Sequence, residues 1–174
     1  MQSLGERAFD FLRENGISSW EVSAIPILGV CHKGVQNHQG QTPLLIACKF
    51  GRFDVAQWLF GHGSAEEVQT ADEFGVTPIH AACENGFIEI AQWLLSEGAS
   101  VRGADSKGAT PMFSACMQDH INVVRWLFEV GAAEDVRKVN TDGRTPMFAA
   151  CANGNLEMAK LARNEHRSSR EKIV

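Results

Sequence analysis

The amino-acid sequence predicts an all-α fold, a solenoid of stacked helix-turn-helix units. Three observations carry that expectation. Pro43, Pro78, Pro111 and Pro146 recur at intervals of 35, 33 and 35 residues, and repetition on this scale marks an array whose units bury their apolar faces against one another. Each of these prolines follows a threonine and opens a short run of small and apolar residues, such as Ile79, Ala81, Ala82 and Cys83. A second stripe, Val55, Trp58 and Leu59 at spacings of three and four, marks a partner helix.

The elements can be justified in order. Residues 4–15 read as a helix of the second kind, since "FLRENG" repeats the later "WLLSEG" and "WLFEVG", and Ser3 and Glu6 stand at capping-box spacing. "IPILGVCHKG", residues 25–34, reads as a helix of the first kind, with Pro26 and Cys31 in the repeat spacing. "QNHQGQTP" then follows with no room for its partner, so residues 1–35 are expected to form a degenerate capping unit. Four units follow within the same single domain, at about 36–70, 71–103, 104–138 and 139–165. In each, the Thr hydroxyl suits a helix cap and Pro the first helical position. Gly51, Gly86 and Gly154 end three of the first helices and Asp119 ends the other; both residue types enter the left-handed conformation that many helix ends need.

The second helices, "FDVAQWLF", "FIEIAQWLL" and "HINVVRWLF", stop before Gly63, Gly98 and Gly131. The last unit has Leu161-Ala162 where Trp-Leu is expected and lacks that glycine, which marks either a cap or a cut from a longer array. Residues 166–174 are expected to be a polar, basic tail, as the exposed end of a solenoid must be polar. Two connections, "SAEEVQTAD" and "AAEDVRKVN", carry two extra residues each. These acidic insertions are expected to alter the projecting loops and leave the helix stack alone.

The repeat is similar to the ankyrin repeat. "TPIHAA", residues 77–82, matches that family's signature Thr-Pro-Leu-His-x-Ala, and Asn85-Gly86, the helix ending in Leu94-Leu95 and "EGAS" follow in register. The resemblance covers roughly residues 36–162 in four copies. It implies L-shaped units, each with two antiparallel helices and a projecting finger loop, no common catalytic site, and binding to other proteins. The signature His survives only as His80; Leu45, Phe113 and Phe148 stand in its place elsewhere, so any polar link that His makes is expected in one unit alone.

Composition narrows the function. The net charge of -5 argues against nucleic acid as a partner. No apolar run has membrane-spanning length, and the N-terminus lacks the pattern of a secretory signal. Five cysteines cannot pair completely within the chain, so a reducing, cytoplasmic setting is the simpler expectation. A monomer is expected.

Cys48, Cys83, Cys116 and Cys151 each lie five residues after the repeat proline, as Cys31 does after Pro26. A thiol ladder for metal or redox work is the remote alternative. Equivalent residues on packed helices stand about 8–10 Å apart, whereas disulfide Cα atoms lie within about 7 Å and zinc needs sulfurs at about 2.3 Å. In the ankyrin pattern this position holds a small buried residue, and free Cys packs as one. His32, His38 and His62 show neither C-x-x-C nor H-E-x-x-H context and read as solvated loop residues. His80 is structural by its place in the signature, and Trp58, Trp93 and Trp126 continue the second-helix stripe into the core. No nucleophile elbow, P-loop or dinucleotide fingerprint is present. No catalysis, metal or cofactor is expected.

By the resemblance, recognition sits on the concave face of finger loops and inner helices. The variable positions are His38, Gln39, Gln41, Lys49 and Phe50 in the first unit, and Glu73, Phe74, Val76, Glu84 and Asn85 in the second. Ser106, Lys107, Ala109, Met117 and Gln118 follow in the third, then Thr141, Asp142, Arg144, Ala152 and Asn153. Phe50, Phe74, Val76 and Met117 are apolar where loops and helix ends favour polar groups. Packing of Phe50 and Phe74 against neighbouring fingers stands open beside binding. Glu73 and Glu84, with Glu66 and Glu67 nearby, suggest a protein partner with a basic segment. The function expected is non-catalytic protein recognition; the alternative is a structural spacer from a longer array.

Overall fold

The computed structural model describes residues 3–16 and 36–161. The helix expected around Pro26 and Cys31, His32 and the basic tail 166–174 lie outside the described residues. Helix α1 spans Leu4–Glu14, and four helix pairs follow. They are α2 Pro43–Lys49 with α3 Phe53–Leu59, α4 Pro78–Glu84 with α5 Ile88–Ser96, α6 Pro111–Met117 with α7 Ile121–Glu129, and α8 Pro146–Ala152 with α9 at 156–161. Helices α2, α4, α6 and α8 pack in sequence as an inner row, while α1 lies against α3 at the head of the outer row. Among the described residues there is no strand.

Local chemistry explains the helix starts. At α1 the Ser3 hydroxyl accepts the Glu6 N–H while the Glu6 carboxylate accepts the Ser3 N–H, a complete capping box. Thr42, Thr110 and Thr145 each accept the N–H of the residue three on, at 3.2, 3.3 and 3.2 Å. The inner helices have only seven residues, too few to persist alone. Burial holds them: Leu44, Ala47, Cys48, Ala82, Cys83, Met112 and Ala115 are all fully buried. Trp126 is buried with them, while Trp58 and Trp93 are half-buried against the same core. The Trp93 ring of α5 meets Phe53 of α3 at 5.7 Å and Phe60, just past α3, edge-on at 5.4 Å, tying α3 to α5.

Each inner helix ends on a left-handed residue, with φ of 68° at Gly51, 78° at Gly86, 65° at Asp119 and 72° at Gly154. Stacking adds a second demand at two of them. A Cβ at Gly51 would stand 2.6 Å from the Phe87 ring, and one at Gly86 2.6 Å from the His120 ring. Asp119 faces Asn155 instead, whose side-chain amide donates to the Asp119 carboxylate. A side chain is accommodated there because the next unit supplies a hydrogen-bonding residue in place of a ring.

The insertions correct one expectation. They leave the fingers alone and enter the stack as 3-10 turns, Ala65–Gln69 and Ala133–Arg137, packed on the inner helices. Val68 and Val136 are buried and anchor them. Glu67 is buried too, and its Oε2 accepts the Leu44 N–H at 3.2 Å. Asp135, fully buried, is held by Lys138 Nζ at 2.8 Å and Arg102 Nε at 3.4 Å.

Candidate functional site

The fingers are built by one side chain each. Asn37, Asp72, Asp105 and Asn140 stand five residues before the threonines of the four Thr-Pro pairs, and each Oδ1 accepts two backbone N–H groups. The donors are Gln39 and Gln41, Phe74 and Val76, Lys107 and Ala109, and Asp142 and Arg144. Such Asx contacts replace the backbone partners a turn would otherwise lack. Neighbouring fingers are then joined by backbone bonds, Glu73 N–H to Gln39 O at 3.2 Å, Ser106 N–H to Phe74 O at 2.9 Å and Thr141 N–H to Lys107 O at 2.8 Å. The tips therefore form a continuous wall.

Between that wall and the inner helices lies a groove of about 320 Å³. Of the variable positions, Gln39, Gln41, Lys49, Phe74, Val76, Glu84, Ser106 and Lys107 line it. Gln41 does so while only 8% exposed, its Oε1 taking the Asn37 side-chain amide at 3.2 Å. Sequence reasoning missed Leu45, Asp72, His80, Ala81, Asp105 and Ser114, which complete the lining. A signal existed for the two aspartates, since an Asn or Asp precedes each finger glycine by three residues.

The other positions lie outside the groove. His38 and Glu73 are exposed on the first two fingers, and Thr141, Asp142 and Arg144 are exposed on the fourth. The Arg144 guanidinium lies 5.5 Å from the Phe148 ring centre. Phe50, Asn85, Gln118 and Asn153 are the end residues of the inner helices. Asn85 donates its amide to Ala81 O at 2.9 Å and Asn153 to Met117 O at 2.7 Å. Phe50 meets Phe11 of α1 edge-on at 5.9 Å and stays half-exposed, as do Met117 and Phe74. The acidic flank also shrinks, because Glu67 is buried in the helix cap described above. Ala109 is buried, and Ala152 is exposed on the last unit.

His80 forms part of the groove floor and is fixed from both ring nitrogens. Its Nε2 lies 3.1 Å from the Gly103 carbonyl, which can only accept, so Nε2 carries the proton. Nδ1 then accepts the Thr77 hydroxyl at 2.7 Å. Burial lowers the imidazole pKa, opposed by the carboxylates of Asp105 and Asp72 and by backbone hydrogen bonds, so the neutral ring is favoured.

Cys48, Cys83 and Cys116 are buried and unpaired. Burial pushes the Cys83 and Cys116 thiols up to about 12 and Cys48 higher still, as befits small apolar residues rather than nucleophiles. Cys151, at the equivalent place in the last unit, is exposed, against the expectation of burial, because no further inner helix among the described residues packs on that unit.

The family model for ankyrin repeats, in three copies, matches residues 15–105, 62–138 and 97–170. No curated protein matches the chain.

Proposed function

The chain belongs to the ankyrin repeat family, and from that premise we propose that it is a non-catalytic module that binds a protein partner in the concave groove. Ankyrin repeats are in general protein-interaction modules, and no helix among the described residues is long and apolar enough to cross a membrane. The observation that carries the proposal is the groove itself. It combines an exposed Phe74, a half-buried Val76 and charged groups on a preformed wall and floor. Such concave, mixed surfaces bind with little reorganisation.

A spacer role is the second reading, and the last unit favours it. Phe113 is 8% exposed beneath the following unit, whereas Phe148 is 52% and Leu156 64% exposed, an apolar face able to stack on another helical element.

The test is affinity capture with quantitative mass spectrometry. It compares wild type, a groove variant (Phe74→Ala with Lys107→Ala) and an end-face variant (Phe148→Ser with Leu156→Ser), each checked for folding by circular dichroism. Partners lost only from the groove variant support the binding module. Partners lost only from the end-face variant support the spacer, and identical recovery from all three removes both readings.

A further inference from the structure

Resting on the groove-binding reading, we propose that the groove takes an extended, polyproline-II-like segment of its partner, with an acidic and a basic residue three positions apart beside one apolar residue. The first support is the shape of the floor. Ile46, Ala81 and Ser114 occupy equivalent positions in successive inner helices, and the two smaller residues, unlike Ile46, line the groove. Ala81 puts a methyl group where the first unit has a branched side chain. Leu45, Phe74 and Val76 line the same space, which gives a seat for a single apolar side chain. Phe74 is 53% exposed.

The second support is the order of charges. Lys49 of the first unit, Glu84 of the second and Lys107 of the third finger line the groove in the order positive, negative, positive. Among the described residues, none of these three side chains has a hydrogen bond or ion pair. The other carboxylates in the groove, Asp72 and Asp105, are bent back into their own finger turns. The opposite, unpartnered charges of Lys49 and Glu84 on neighbouring inner helices select a ligand with one acidic and one basic residue in the complementary order.

Spacing selects the conformation. Neighbouring packed helices stand about 8–10 Å apart, and that separates Lys49 from Glu84, which hold equivalent places on α2 and α4. A polyproline-II segment returns every third residue to the same side, with a rise of about 9 Å per turn. An acidic residue facing Lys49 and a basic residue facing Glu84 then lie three positions apart, with room between them for the apolar residue. This narrows the basic partner segment expected from Glu73 and Glu84, since of the acidic residues named for it only Glu84 lines the groove.

The probe is a random dodecapeptide display library selected against the folded full chain, with the winners' affinities measured by fluorescence anisotropy. Winners are expected to share an acidic and a basic residue three apart beside an apolar one. Glu84→Lys should weaken them about tenfold, and a peptide with its basic residue changed to Glu should recover that loss on the Glu84→Lys protein. Phe74→Ala should weaken every winner. If winners depend on Phe74 but ignore both Glu84→Lys and Lys49→Glu, the charge pattern is wrong and groove binding survives. If winners ignore Phe74→Ala as well, or no peptide is enriched, the extended-segment proposal is overturned; capture of a folded partner lost from the groove variant would then still uphold the groove.

Discussion

The Thr77 hydroxyl lies 2.7 Å from His80 Nδ1 and caps no helix N–H, whereas the threonines of the other three units cap theirs. One hydroxyl is diverted because this unit alone carries the imidazole, whose other nitrogen reaches the Gly103 carbonyl of the next connection. The cap is exchanged for a link between units.

That link makes stability depend on pH with a definite sign. Burial lowers the His80 pKa from its ordinary 6.5. Below that value the unfolded chain binds more protons than the folded one, so this contribution is complete above pH 6.5 and declines as pH falls. Burial raises the Glu67 pKa, and that group works in the opposite sense. The comparison is therefore between wild type and His80→Leu in the same buffers. The urea midpoint should rise more, or fall less, from pH 5.5 to pH 7.5 in wild type than in His80→Leu; an equal or more positive change in the variant would refute the assignment.

Stacking should distinguish glycines that share one backbone conformation. Gly154→Ala meets only the left-handed penalty of about 1–2 kcal/mol, since nothing lies within 4 Å of its added Cβ. Gly51→Ala must also displace the Phe87 ring, so its loss should exceed that of Gly154→Ala by about 1 kcal/mol or more. Equal urea midpoints for the two variants would show that the ring yields freely.

Asp119 offers the complementary case. Asp119→Ala leaves a left-handed alanine and removes the bond from Asn155, and should cost about 2 kcal/mol. Asp119→Gly loses the same bond but relieves the backbone, so it should fall well short of that cost. A double-mutant cycle with Asn155→Ala isolates the hydrogen bond. A cycle summing to zero would assign the whole effect to the backbone.

The cysteines predict an order of labelling. With a maleimide at pH 7.5, Cys151 should react in the native state, since it is exposed. Cys48, Cys83 and Cys116 should react only when urea opens the stack, being both buried and held as thiols by raised pKa values. Peptide mapping by mass spectrometry reads each site; fast native labelling of Cys83 would contradict the packing role.

The groove was half legible. Gln39, Lys49, Phe74, Val76, Glu84 and Lys107 could be placed from the resemblance because the helix period repeats in register. Phe50 could not, since its neighbour Phe11 lies in a helix 39 residues away in the chain. Glu67 looked like surface charge in "SAEEVQ", and only the buried Val68 beside it shows why the turn folds inward.

The sequence by itself determined the repeat length, the helix starts at Ser3 and the Thr-Pro pairs and the left-handed stops. These follow from caps, φ preferences and apolar spacing that operate within one unit. The expectation that the repeat cysteines are buried holds for Cys48, Cys83 and Cys116 and fails at the exposed Cys151 of the last unit. Tertiary structure alone decided which variable residues share a groove, which acid is buried, and where a ring forbids a Cβ. Those outcomes depend on what the next unit places opposite each residue, and packing across units joins positions that no local period connects.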